Sequence, residues 1–222
     1  MIAEIRRNPP MKAMMPPAEL EFLEKTLQTL HSGQVALEWG SGGSTFFIAS
    51  RVNVLYSIEN QPRWCDDMER KYADAMNTLR AAGRLVYLCA NRYAPTAQFG
   101  YPADSPENAL KYFLASYIEV MDTVAALAKV THYDFVLVDG RYRLACLMHA
   151  LKYIDADTKV LIHDFERFKE DILTHLPNTY ELVGESPSEG QRLGLLRKKG
   201  GATFESEEVQ KYYAKMILSP GP

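Results

Sequence analysis

Three glycines, a set of acids and one imidazole stand where this chain could do chemistry. The run Glu38-Trp39-Gly40-Ser41-Gly42-Gly43-Ser44-Thr45 follows a short apolar stretch and leads into a helical one. Glycine lets the backbone bend sharply and lets a ligand come close to it. The start of the helix beyond can receive a carboxylate or a phosphate. A dinucleotide turn would carry a third glycine where Thr45 stands. Glu38, just before the bend, would repel a pyrophosphate but could receive the amino group of an amino-acid ligand. About twenty residues on, a second apolar stretch ends at Glu59-Asn60, and an acid at that distance can accept both hydroxyls of a ribose. A third ends at Asn91, which could bind the edge of an adenine. The plainer readings are a solvated carboxylate for Glu59 and loop chemistry for Asn91.

Two later apolar runs end in Asp139 and in His163-Asp164. Two carboxylates and an imidazole could hold a divalent ion, which would lower the pKa of a bound hydroxyl. His163 could instead act alone as a general base, its ordinary pKa lying near neutrality. Asp139 and Asp164 could equally cap the helices that follow them. Arg141 and Arg143 could bind an anionic substrate. Trp64 could stack on an adenine or pack in the core, and Tyr93, Phe99 and Tyr101 could cover an acceptor or pin their own loop.

These residues need elements to bring them together. Residues 1–17 hold four prolines and read as an irregular arm. Leu20, Leu23, Leu27 and Leu30 share one face of a helix over 18–30, with Gly33 as its C-cap. Strands are predicted over 34–37, 52–58, 85–90, 135–138 and 159–162. Between them fall helices from near Ser44, over 64–82, over 107–130, and from about 144 to 154, then one over 166–176. Residues 91–106 form a long aromatic loop. An antiparallel pair over 180–183 and 192–196 closes the order, and a last helix spans 205–218. Such alternation is the pattern of a doubly wound, mostly parallel sheet with helices on both faces. Ligands bind such sheets outside the carboxyl ends of the strands, so the flagged residues should converge there. The domain organisation expected is an arm over 1–17, a cofactor-binding domain over 18–204, and a C-terminal helix and tail over 205–222.

With 222 residues, 47% of them hydrophobic, the chain can bury a sizeable core. A formal charge of −3 gives no general attraction to nucleic acid. Cys65, Cys89 and Cys146 are odd in number and show no metal spacing, which suits a reducing, cytoplasmic compartment and argues against disulfides. No apolar run is long enough for a membrane span, and the opening residues lack the apolar core of a secretory signal.

The series Glu38-Trp39-Gly40-Ser41-Gly42, Glu59, Asn91 resembles the cofactor half of the class I S-adenosylmethionine-dependent methyltransferases, over about residues 30 to 200. The resemblance implies a seven-stranded Rossmann-like sheet with one reversed strand. It implies that Glu38 and the turn Gly40, Ser41, Gly42, Gly43, Ser44, Thr45 hold the methionine moiety. Glu59 would then hold the ribose and Asn91 the adenine side, with Asn60 among the cofactor-binding residues. The strand-end acids are similar to those of metal-dependent small-molecule O-methyltransferases. That likeness makes Asp139, His163 and Asp164 the expected catalytic residues and ligands for magnesium or manganese. Val-Asp-Gly and His-Asp are also similar to signatures of bacterial sugar O-methyltransferases and plant glucuronoxylan methyltransferases. Catechol-type enzymes carry Asp-Asn where this chain has His163-Asp164, and a catalytic lysine where it has Tyr142. The expected activity is methyl transfer from S-adenosyl-L-methionine to an oxygen of a small hydroxylated molecule or sugar. The alternatives are a cofactor-binding protein without transferase activity and a nicotinamide-dependent oxidoreductase. A nucleic-acid substrate is not expected, since no Asn/Asp-Pro-Pro-Tyr/Phe tetrapeptide occurs. The last helix could pack on its own domain or on a second copy in a homo-oligomer.

Overall fold

The computed structural model describes residues 1–30, 33–90, 114–187 and 190–218. Seven strands form one sheet: β1 (Val35–Trp39), β2 (Val54–Glu59), β3 (Leu85–Cys89), β4 (Phe135–Val138), β5 (Lys159–Ile162), β6 (Tyr180–Glu185) and β7 (Gly194–Lys198). Their order is β3-β2-β1-β4-β5-β7-β6. The first five run parallel, and β7 is antiparallel to both β5 and β6. One reversed strand in seven is the expected arrangement. β4 is apolar throughout because helices cover both faces of the sheet, whereas β1 carries the buried Glu38.

The helices are α1 (Ile2–Arg7), α2 (Pro17–Gln28), α3 (Gly43–Ala49), α4 (Pro62–Lys71) and α5 (Ala73–Ala81). Next come a π-helical turn at Leu114–Ile118 and α6 (Val120–Ala128). Then follow α7 (Arg143–Ala150), a 3₁₀ turn at Phe165–Arg167, α8 (Lys169–His175) and α9 (Glu207–Met216). One core holds Leu37, Trp39, Tyr117, Tyr133 and Phe165, with Val209, Tyr212 and Tyr213 of α9. The other holds Leu23, Ala36, Phe46, Ile48, Leu55 and Phe135. The alternation along β1 sends Leu37 and Trp39 to the first face and Ala36 to the second. Glu38 therefore points toward the α3 side.

Several local expectations are corrected. Residues 1–17 are not wholly irregular: they contain α1, and Ile5 and Met15 are buried in the second core. The helix expected over 64–82 breaks at Tyr72, whose backbone leaves helical geometry at φ −121° and ψ 23° while its ring packs edge-on against Phe46. Gly33 does not cap α2, which ends at Thr29; its φ of +97° serves the turn into β1 instead. The cysteines do form a disulfide: Cys65 at the start of α4 is bonded to Cys89 at the end of β3, with Cα atoms 5.9 Å apart. Sequence spacing missed this pair because the parallel pairing of β2 with β3 is what brings the two ends together. Among the described residues, no helix is long and apolar enough to cross a membrane. Asn91, Tyr93, Phe99 and Tyr101 lie outside the described residues.

Candidate functional site

Strand order reverses between β1 and β4, so their carboxyl ends open the crevice where such sheets take ligands. The two ends touch. Asp139 N donates to Trp39 O at 2.8 Å. Gly40 has φ +93°, and a Cβ on it would fall 2.5 Å from Gly140 N. A Cβ on Gly140 would fall 1.8 Å from the Tyr117 hydroxyl, and one on Gly43 would fall 2.2 Å from Ala13 N and Lys12 C. The protein itself demands glycine at these three places. Gly42 differs. Its φ of 171° is extended backbone open to any residue, and among the described residues nothing lies within 4 Å of a Cβ placed there. Neither conformation nor a neighbour among the described residues accounts for the missing side chain.

Glu38 is fully buried. Its Oε1 accepts from Ser44 Oγ at 2.6 Å, and its Oε2 accepts from Thr45 Oγ1 at 2.7 Å and from Ser57 Oγ at 2.6 Å. Thr45 Oγ1 in turn accepts from Gly42 N at 3.0 Å. Burial pushes the Glu38 carboxyl up to about 7, against the hydroxyls that favour its charge. The sequence offers Glu38 as a receiver for a ligand's amino group; in the fold it meets protein hydroxyls. Both of its oxygens are engaged by protein hydroxyls, and it ties the first turn of α3 to β1 and β2.

Glu59 stands at the end of β2, also buried. Its Oε2 accepts from Ser41 N at 3.0 Å and Ser41 Oγ at 2.9 Å. Its Oε1 accepts from Asn60 N and Gln61 N, each at 2.8 Å. Burial raises its pKa despite these four donors. Ser41 Oγ also bonds the Tyr87 hydroxyl at 3.0 Å, and Trp64 Nε1 donates to Ser41 O at 2.9 Å. Trp64 thus latches the turn rather than simply filling the core. Glu59 faces the glycine turn, with its Oε2 engaged by Ser41.

The strand-end acids converge differently from the expectation. His163 Nδ1 bonds Asp139 Oδ1 at 2.8 Å, and its Nε2 bonds Glu19 Oε2 of α2 at 3.0 Å. Burial opposes charge on this ring, but Asp139, by hydrogen bond and charge, and then Asp164 lift its pKa above the ordinary histidine value. Asp164 has φ +53°, and its Oδ2 accepts from Arg143 Nη1 at 2.8 Å and Arg167 Nη1 at 3.2 Å. Burial works to raise the Asp164 carboxyl, but Arg143, His163 and Arg167 bring it below its usual value. Arg143 is itself buried. It reaches Gly140 O at 3.0 Å, Asp139 O at 3.2 Å and Asp139 Oδ1 at 3.3 Å, stapling the ends of β4 and β5 together. It is not free to bind a substrate anion.

This chemistry does not suit a metal ion. Both ring nitrogens of His163 are taken by carboxylates, and Asp164 is paired with two guanidinium groups. Among the described residues no group of three His, Cys, Asp or Glu is arranged to hold an ion. The expectation of magnesium or manganese on Asp139, His163 and Asp164 is therefore not met. Asp139 alone of the three keeps an accessible side chain, 24% exposed, and its Oδ2 makes no bond to the described residues. Sequence reasoning missed Glu19, which looks like any acid in the first turn of a helix.

Neither a scan of protein-family models nor a search of curated proteins gives a match. Solved structures do match. A methyltransferase-like protein (spo2022) of Silicibacter pomeroyi superposes with TM-score 0.58 at 20% identity, covering 96% of this chain and 98% of that one. The fold is that of the Rossmann-like methyltransferases. Within this fold, yhhF of Escherichia coli, a candidate methyltransferase, matches with TM-score 0.51 at 14% identity over 85% of this chain and 89% of its own. A tRNA (m1A58) methyltransferase, TrmI of Aquifex aeolicus, matches with TM-score 0.50 at 10% identity over 89% and 76%.

Proposed function

We propose that this chain binds S-adenosylmethionine and transfers its methyl group to a hydroxyl of a small molecule or sugar. The observation that carries the reading is Gly42. Its bare Cα meets no atom of the described residues at the crevice of a methyltransferase fold, and neither strain nor their packing requires glycine there. A ligand lying against the backbone is what the missing side chain accommodates. Residues 41–45 and Glu59 would hold the cofactor, with Ser41 yielding its bond to Glu59 when a ribose hydroxyl replaces it. When bound, S-adenosylmethionine supplies a methyl group on a positively charged sulfur.

The chain's own part is to position an acceptor and take its proton. Asp139 Oδ1 is fixed by His163 and Arg143, which leaves Oδ2 for the acceptor. Oδ2 accepts the hydrogen bond of the acceptor hydroxyl. As the acceptor oxygen gains the methyl group, its proton passes to Asp139 and then to water. His163 does not serve as the base, since both its nitrogens face carboxylates; it orients Asp139.

The test is calorimetry with S-adenosylmethionine and S-adenosylhomocysteine, then transfer of labelled methyl to a panel of hydroxylated small molecules, with a tRNA transcript alongside. Binding together with label on a small hydroxylated acceptor, unaffected by chelator, is the expected result. No binding of either nucleoside would end the reading. Label on the tRNA alone would replace the acceptor class.

A further inference from the structure

Glu19 lies in the first turn of α2, which Pro17 opens, and is fully buried. An isolated buried carboxylate is costly, so its partner matters. One partner is His163 Nε2 at 3.0 Å, across 144 positions of sequence. On its other edge the same ring bonds Asp139 Oδ1 at 2.8 Å, with Asp164 Oδ1 at 4.0 Å and Arg143 bridging Asp139 and Asp164. A ring between two carboxylates presents an N–H to each and cannot flip without losing one bond. Its orientation is therefore set from behind, by α2.

We infer that Glu19 is a positioning residue of the reaction centre: through His163 it fixes the Asp139 carboxylate so that Oδ2 faces the acceptor. The inference rests on the methyl-transfer reading above. It makes α2 part of the active unit, although the residues that resemble the cofactor site begin after it. Glu19 acts through His163, which follows β5 and lies outside the turn of residues 40–45, so its effect falls on the acceptor step.

The test uses the full chain with Glu19→Gln, which keeps the shape and removes the charge. Nitrogen-15 NMR of the His163 ring at pH 7 is expected to show both nitrogens protonated in the wild type and one deprotonated in E19Q. The affinity for S-adenosylhomocysteine should stay within about twofold of wild type, while kcat on the acceptor found by the panel falls about tenfold or more. An unchanged ring pattern, or a kcat within about twofold of wild type, overturns the inference and leaves the transferase reading standing. A wild type that binds no S-adenosylhomocysteine, or that methylates nothing in the panel, overturns both. If E19Q does not fold, E19D shortens the same reach by one methylene and is read by the same ring signature and the same kcat.

Discussion

At the scale of single residues, the three glycines of the turn separate by what presses on them. Gly40 and Gly43 are held by the protein's own atoms, and Gly42 by none of the described ones. Gly42→Val should therefore leave the fold alone, with Tm within about 2 °C of wild type. Its side chain should cost cofactor binding at least about 2 kcal/mol through overlap. Calorimetry beside a thermal melt checks both, and full-strength binding would show that the ligand lies elsewhere. Glu38 allows a second prediction. Its folded pKa of about 7 stands above the unfolded value near 4.5. The neutral acid is thus favoured by folding. The stabilisation is complete below about pH 4.5 and is lost as pH rises through about 7, by up to about 3 kcal/mol. Glu38→Gln should flatten that part of the stability curve between pH 5 and 8, as read by urea midpoints. A parallel slope in both proteins would mean Glu38 is ionised in the fold. The sequence announced a turn at 40–43 because glycine's freedom is local. It did not announce which glycines the protein's own atoms enforce, since that depends on φ and on neighbours such as Lys12 and Gly140.

At the scale of elements, the strands were legible wherever an apolar run was bounded by turn residues: β4 and β5 fall at the expected positions. The break between α4 and α5 was not, since residue 72 is a tyrosine, which carries no local breaking signal; in the fold its ring packs against Phe46 of α3. The disulfide is the larger surprise. It joins α4, whose Trp64 latches Ser41, to β3, whose Tyr87 meets the same serine. A cross-link over a separation of 24 residues stabilises by about 3 kcal/mol through the unfolded chain. Reduction should then lower Tm by roughly 6–12 °C. Denatured, unreduced protein should titrate one free thiol, Cys146, out of the three cysteines in the chain. Three thiols under those conditions, with no change of Tm on adding dithiothreitol, would show that Cys65 and Cys89 are not bonded.

At the scale of the whole molecule, alternating strands and helices specified the doubly wound sheet, because that connectivity has few packings. The arm escaped such reasoning, since its prolines hide a segment whose Ile5 and Met15 complete one core. Its backbone at Lys12 and Ala13 rests on Gly43, so arm and turn are packed as a unit. A double-mutant cycle tests this. In the full chain, Gly43→Ala places a methyl group against main chain that cannot swing aside, and should destabilise by about 1–3 kcal/mol. In a chain lacking residues 1–16 that clash is gone. There the substitution should be neutral, or stabilising by up to about 1 kcal/mol, since alanine is the better helix former. The deletion alone removes two buried apolar side chains, Ile5 and Met15, and should cost about 3–6 kcal/mol. Urea unfolding of the four proteins yields the coupling. An alanine penalty of the same size with and without the arm would mean that something other than residues 12 and 13 covers Gly43. The arm would then be a separate appendage rather than part of the wall of the site.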